Sequence, residues 1–264
     1  MNRTCSTVLV LGFAALLYGP ATAVAQLSSF AVLGGSTVTN TNTPTIVNGD
    51  LGVSPGSAVT GFPPGIVTGG TIHAADAVAA QAQSDLTTVY TNLANRSCDT
   101  DLTGQDLGGK TLTPGVYCFS TSAQLTGTLT LDAQGNSNAA FIFKIGSTLT
   151  TASASSVLLI NSASSCGVFW QVGSSATLGT GTALAGNIVA LTSVTLNTGA
   201  SVTGRVLARN GAVTLDNSHV TVCSGGPGLP ISVVAVPTLS GWAMIVLTGL
   251  LVLSGLAAMR RRAA

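Results

Sequence analysis

The chain has 264 residues, of which 46% are hydrophobic and only 6% charged, and its formal net charge is +1 at pH 7. Charge this sparse excludes a nucleic-acid surface, which needs clustered Lys and Arg. The lack of any Glu, with abundant Gly, Ser and Thr, also argues against a helical enzyme.

Residues 1–25 read as a secretory signal. Arg3 supplies a basic start, residues 8–17 form an apolar core, and Ala23-Val24-Ala25 offers a small-residue cleavage site ahead of Gln26. The apolar run is too short to cross a bilayer comfortably, so removal is expected. Residues 30–38 and 45–53 read as strands. Between Thr71 and Asn95 the period changes. Ala75, Val78, Ala82, Leu86, Val89 and Leu93 recur at steps of three or four, which predicts one helix with Gln81, Gln83, Asp85 and Thr88 largely on its other faces. Alone in a Thr- and Gly-rich chain, such a helix needs a larger body on which to dock its stripe.

Once Cys5 leaves with the signal, Cys98, Cys118, Cys166 and Cys223 remain, and an even number in an exported chain reads as disulfides. Three pairings are open. We prefer Cys98–Cys118 with Cys166–Cys223, the first contributing about 3 kcal/mol by loop closure. No Cys-x-x-Cys and no neighbouring His favour a metal site, and no cofactor is expected.

From Phe141 onward the chain repeats. Residues 147–151 (STLTT), 174–178 (SSATL), 192–196 (TSVTL) and 211–215 (GAVTL) superpose, with Leu149, Ala176, Val194 and Val213 at their centres. Their separations of 18–19 residues, apart from one longer insertion, match the coils of a solenoid built from short strands. Residues 179–182, 197–199 and 209–211 carry glycines suited to corners, and residues 106–109 and 132–135 read as earlier ones.

Side chains alternate across a strand. If the four central residues point inward, Thr148, Ser175, Ser193 and Ala212 form one outward column and Thr150, Thr177, Thr195 and Thr214 the next. Stacked coils would space them by about 4.8 Å, with the columns about 6.5–7 Å apart. The expected product is a flat, uncharged array of hydroxyls and methyls. Such an array can hold water in lattice positions, because methyls exclude liquid water while hydroxyls anchor it.

Catalysis finds little footing. Asp132, Asp216, Lys144, Arg205 and Arg209 are isolated in sequence, whereas lyase and hydrolase sites need clustered carboxylates or a base beside metal. Asp132 and Asp216 fall at corners, where such side chains bond their own backbone. Arg205 and Arg209 recur within one coil and are expected to bond carbonyls at an edge. His73 and His219 are too far apart in sequence to suggest a metal pair. Phe169 and Trp170 belong to an apolar strand and to the core.

The far end differs again. Residues 239–259 are almost wholly apolar, long enough for one membrane helix, and Arg260, Arg261 and Arg262 follow, which leaves the body outside the cytoplasm. Trp242 suits the membrane interface, and Pro227 and Pro230 mark a tether at residues 225–235.

The body resembles the microbial ice-binding protein family through FAVLGGSTVTNT (30–41), NGDLGVSPG (48–56), TGFPPG (60–65), IHAADAVAAQAQ (72–83), DLTGQDLGGKTLTPGVYCFS (101–120), FIFKIGSTLTTAS (141–153), VFWQVGSSATLGTGT (168–182) and GRVLARNGAVTLDN (204–217). The resemblance implies a mainly β fold: a right-handed discontinuous β-solenoid with one long helix alongside. It implies a non-catalytic protein that adsorbs to ice and inhibits its growth or recrystallisation, with Thr148, Thr150, Ser175, Thr177, Ser193, Thr195 and Thr214 as the contact set by geometry. The family's Thr-Ala/Gly-x-Thr/Asn pattern is matched only by Thr68-Gly-Gly-Thr71, outside the repeat; residues 151–154 and 198–201 come near it. The same scaffold as a surface module binding polysaccharide or another cell is the competing reading. Val236, Pro237, Thr238 and Leu239, the apolar run and the arginines resemble the IPTL-CTERM sorting signal of Gram-negative bacteria, with Val236 in place of the usual Ile. That resemblance implies a membrane sorting protease as partner and delivery to the cell surface or release. The expected layout is signal peptide 1–25, a monomeric solenoid 26–224, linker 225–235 and sorting tail 236–264.

Overall fold

The structure, a computed structural model, describes residues 24–41, 45–224 and 229. The chain divides into two units, Met1–Ile231 and Ser232–Ala264, and the second lies outside the described residues. So do most of the signal segment, Val236, Pro237, Thr238, Leu239, Trp242 and the arginine cluster. Among the described residues no helix is long and apolar enough to cross a membrane.

The first unit is a coil of short parallel strands laid on three faces. One face stacks Ala123–Leu125, Leu149–Thr151, Ala176–Leu178, Val194–Leu196, Val213–Leu215, Thr37–Asn40 and Ala58–Thr60 in that order. A second runs from Thr100–Asp101 through Gly115–Phe119, Phe141–Ile145 and Val168–Val172 to the later parts of Ala183–Ala190 and Ser201–Ala208. It continues with Phe30–Gly34, Asp50–Val53 and Ile72–Ala74. The third face holds Thr111–Leu112, Thr128–Asp132 and Ser156–Ile160, the first residues of the two eight-residue strands, then His219–Thr221, Ile46–Asn48 and Ile66–Thr68.

The stacking order departs from chain order at one seam. Val38 and Thr39 lie in register with Val213 and Thr214, and Val32 with Val206, so the first coil of the chain stacks on its last. A helix must therefore carry the chain back along the stack. That helix, α2 (Ala77–Ala94), has 18 residues and spans about 27 Å, roughly the height of six rungs. It touches six strands of the second face, from Ile72–Ala74 across to Phe141–Ile145. A short α1 (Val24–Ser29) packs beside it.

The expected helical span was too long at its start. Ile72–Ala74 is a strand paired with Asp50–Val53, and Ala75 takes a positive φ of 54°. Asp76 then caps α2, its carboxylate accepting from Ala79 N at 2.8 Å. Ala79 is buried, and Ala82, Leu86, Val89 and Leu93 are buried against Phe30, Leu33, Phe169, Val189 and Leu207. Asp85, expected on another face, is buried with them. Each strand expected over 30–38 and 45–53 is bent into two, at Gly35-Ser36 and at Gly49.

Inside the coil, Leu149, Ala176, Val194, Val213 and Val38 form a column at most 1% exposed, and Leu178, Leu196 and Leu215 form the next. Phe143 stacks on Trp170 at 4.1 Å between ring centroids, and Tyr117 continues the stack at 5.6 Å. The Trp170 indole donates to Ala185 O at 3.0 Å, so its polar atom enters the core satisfied. The corner glycines are of two kinds. Gly181 and Gly199 hold φ of 67° and 74°, whereas Gly211 is needed for room: a Cβ there would lie 2.6 Å from Thr192 O.

Both preferred disulfides are present, Cys98–Cys118 and Cys166–Cys223, with Cα separations of 5.9 and 5.4 Å. Arg205 departs from its expected edge position. It is buried, and donates to Asn187 Oδ1 (2.9 Å), Cys223 Sγ (3.2 Å) and Ser28 O (2.6 Å). Burial pulls its guanidinium down to about 10. Arg209 lies over the Tyr90 ring at 4.8 Å rather than bonding a carbonyl. Asp132 does bond the backbone of its own corner, at Gln134 N, whereas Asp216 accepts from Thr198 of the neighbouring coil.

Candidate functional site: a seven-rung threonine face

The first face brings the sequence-predicted residues together. Because Leu149, Ala176, Val194 and Val213 point inward, their neighbours point out, and the parallel register aligns them: Thr150 beside Thr177, Thr177 beside Thr195, Thr195 beside Thr214. The column does not stop there. Thr214 is in register with Thr39, and Thr39 with Thr60; at the other end Thr150 lies beside Gln124. One outward column thus reads Gln124, Thr150, Thr177, Thr195, Thr214, Thr39, Thr60 over seven strands. Its companion reads Ser122, Thr148, Ser175, Ser193, Ala212, Thr37, Ala58.

Sequence reasoning missed the last rungs because the seam stacks Thr39 on Thr214, 175 residues away in the chain, and Thr60 on Thr39 in turn. The signal was nonetheless there. Thr37-Val38-Thr39 and Ala58-Val59-Thr60 carry the same small–Val–Thr pattern as Ser193-Val194-Thr195 and Ala212-Val213-Thr214. Thr68-Gly-Gly-Thr71 falls elsewhere, at the end of a strand of the third face. Thr151 is buried, bonded to Thr182 at 2.8 Å, so that near-match to the family pattern serves the core.

No outward position in either column is charged. Short strands in unbroken parallel register keep the surface flat, and β-branched Thr has few χ1 options, so its methyl and hydroxyl repeat from rung to rung. The columns are not equivalent. In the serine column some hydroxyls are turned along the ladder: Ser175 Oγ accepts from Ser193 N at 3.3 Å, Ser193 Oγ from Ala212 N at 3.2 Å, and Ser122 pairs with Thr148 at 2.8 Å. Among the described residues, the hydroxyls of Thr150, Thr177, Thr195 and Thr214 bond no protein atom, which leaves them to solvent; Thr60 donates to Thr39 at 3.1 Å. Such an array presents methyls and hydroxyls to water at the rung spacing of the sheet, about 4.8 Å. Among the described residues no group of three or more His, Cys, Asp or Glu could hold a metal ion.

This geometry agrees with what the chain is similar to. A family model described as ice-binding-like matches residues 32–221. An ice-binding protein from Nostoc sp. (strain HG1) is 58% identical over 195 residues, spanning 74% of this chain and 71% of that protein. The chain belongs to the ice-binding-like family. Ice-binding protein 1 of Shewanella frigidimarina is 36% identical over 226 residues, which span 74% of this chain but only 25% of that longer protein. A crystal structure of an ice-binding protein from an Antarctic biological consortium superposes with a TM-score of 0.73 at 41% identity, covering 85% of this chain and 96% of that one. The ice-binding protein of Antarctomyces psychrotrophicus gives 0.73 at 39%, covering 76% and 98%. The ice-binding-like unit is followed by a match to the IPTL-CTERM motif at residues 234–263.

Proposed function

We propose that this chain adsorbs to ice through its threonine face and thereby inhibits ice growth or recrystallisation. The observation that carries the reading is the column Thr150, Thr177, Thr195, Thr214, Thr39 and Thr60, continuous across the seam and free of charge. Each rung offers a methyl that sheds liquid water and a hydroxyl that can anchor a lattice molecule. Thr148, Ser175 and Ser193 widen the contact. Relatives that carry this fold are named ice-binding proteins, which supports the same ligand here. The activity is adsorption and requires neither cofactor nor catalytic residue.

Residues 1–25 act as the export signal and 26–224 as the functional body, coiled in the right-handed sense. Residues 225–235 form a tether and 236–264 a sorting tail whose apolar run spans the inner membrane of a Gram-negative bacterium. Val236, Pro237, Thr238 and Leu239 present the tail to a membrane sorting protease, and the IPTL-CTERM match supports surface delivery.

The test places bulk on one face at a time. Thr177→Tyr with Thr195→Tyr should abolish recrystallisation inhibition and thermal hysteresis of the purified body while leaving its unfolding midpoint within a few degrees. Thr203→Tyr with Thr221→Tyr, on the third face, should leave both activities intact. Loss of activity in the second pair and not the first would move the ice contact to the third face.

A further inference from the structure

The longer bridge, Cys166–Cys223, ends beside a buried cation. Arg205 is 6% exposed, and among the described residues no carboxylate forms an ion pair with it. Its Nη1 donates to Asn187 Oδ1 and, at 3.2 Å, to Cys223 Sγ, while its Nη2 donates to Ser28 O. Among the described residues its Nε has no partner. Asn187 Oδ1 also lies 4.0 Å from the Cys223 sulfur, and the Asn187 amide donates to Cys166 O and Val168 O. The two cysteines are themselves only 8% and 7% exposed.

A buried charge without a counter-ion is costly, and none of the acceptors around Arg205 is charged. A bridged sulfur is the weakest of them. Burial lowers the guanidinium only to about 10, so it remains a cation at pH 7. The anion this site lacks is one that the bridge itself yields on opening. A Cys223 thiolate would accept a charge-assisted hydrogen bond from Arg205, about twice as strong as a neutral one. The pair would be neutral inside the fold, whereas the closed bridge leaves a lone positive charge. Burial in apolar surroundings raises a thiol pKa, but a neighbouring guanidinium brings it down to between about 3.5 and 7.5. The two sulfurs are therefore unequal, because Arg205 bonds that of Cys223 and not that of Cys166.

The bridge also fastens a critical place in the stack. Cys223 follows His219–Thr221, the strand that pairs with Ile46–Asn48 across the seam, and Cys166 precedes Val168–Val172.

We propose that Arg205 is the counter-ion of a Cys223 thiolate, which makes Cys223 the sulfur that attacks when this bridge closes and leaves when it opens. In closure, the Cys166 thiolate attacks a low-molecular-weight disulfide, bonds one of its sulfurs and releases the other as a thiolate. The Cys223 thiolate then attacks Cys166 Sγ. The cystine bond forms as the mixed disulfide breaks, and the second small thiolate departs with the electron pair. The two cysteine protons end on the two small thiols, so one cystine forms for each disulfide reduced. Opening by a small thiol runs through the same steps in reverse. Arg205 thus makes the bridge easier to reduce, and the seam that it fastens responds to thiols. None of this depends on the ice reading.

The purified protein would be equilibrated with mixtures of reduced and oxidised glutathione, its free thiols trapped by alkylation, and the Cys166–Cys223 pair read by peptide mass spectrometry. Arg205→Gln is expected to keep the bridge closed until the glutathione pool is at least tenfold more reducing than the wild type requires, with Arg205→Lys falling between the two. A purely structural Arg205 predicts the opposite sign, because a loosened fold gives up its bridge more readily. A second measurement needs no variant at this position. In the reduced wild type, the pH profile of alkylation, resolved for Cys223 by peptide mapping, is expected to give a pKa below about 7.5, against about 8.5 for an ordinary thiol. An Arg205→Gln bridge that opens as easily as the wild type or more so would overturn the proposal. So would a Cys223 thiol that titrates above about 7.5, and this second result decides the matter if Arg205→Gln fails to fold.

Discussion

Asp85 lies at helical spacing between Ala82 and Val89, beside the apolar stripe of α2 rather than opposite it, and the docked helix buries it. Gln81 donates to one carboxylate oxygen at 2.9 Å, while the other has no partner. Loss of water around the charge outweighs that bond and raises the Asp85 pKa above its ordinary value. The folded chain takes up its proton at higher pH than the unfolded chain, so the stability cost is full at neutral pH and shrinks as pH falls through the raised pKa. Asp85→Asn is expected to stabilise the body by about 1 kcal/mol at pH 7, with little difference near pH 3. Urea unfolding at both values would check this; a variant less stable at pH 7 would show that the carboxylate has a favourable partner. Sequence periodicity alone located the stripe but not its width, because the width depends on what the helix docks against.

At the scale of elements, the disulfides and the turn chemistry were legible, and the helix start was not. The two cystines tie the coil at different ranges, with separations of 20 and 57 residues. Loop-closure entropy gives about 3 kcal/mol for the first and about 4 kcal/mol for the second. Cys166 and Cys223 also sit where Arg205 gathers Asn187, Ser28 and Cys223, so their loss loosens a buried polar network as well. Cys166→Ala with Cys223→Ala should therefore destabilise more than Cys98→Ala with Cys118→Ala, by at least about 1 kcal/mol in denaturant unfolding. Equal losses would mean that the Arg205 network does not depend on the longer bridge. The helix start was misread because residues 72–75 have apolar spacing compatible with helix, and only the edge strand at Asp50–Val53 captures Ile72–Ala74 into a sheet. The coil repeat was legible where coils follow one another in chain order, and invisible where the seam joins Val38 to Val213.

At the scale of the whole unit, that seam makes a strong prediction about connectivity. Arg205 reaches both Ser28 O and Cys223 Sγ, so the start and end of the body lie within reach of one side chain. Joining them should cost little, because termini that lie close on a packed unit tolerate permutation. The corner at residues 134–138 is fully exposed and offers a place to open the chain. In a permutant that begins at Ser137, runs to Ser224, and continues through a short Gly/Ser linker into Leu27, the first and last coils become consecutive. The discontinuity then moves to the junction of Gly115–Phe119 with Phe141–Ile145, whose register spans five residue pairs. If the stack is held by coil-to-coil registry and not by the order in which coils are laid down, the permutant will fold. It should melt within a few degrees of the wild type and keep recrystallisation inhibition, since every threonine rung is preserved. A permutant that collapses without parallel-sheet circular dichroism would instead show that the first coil must add to a preformed stack. In that case folding order, and not registry alone, would be what assembles the seven-rung face.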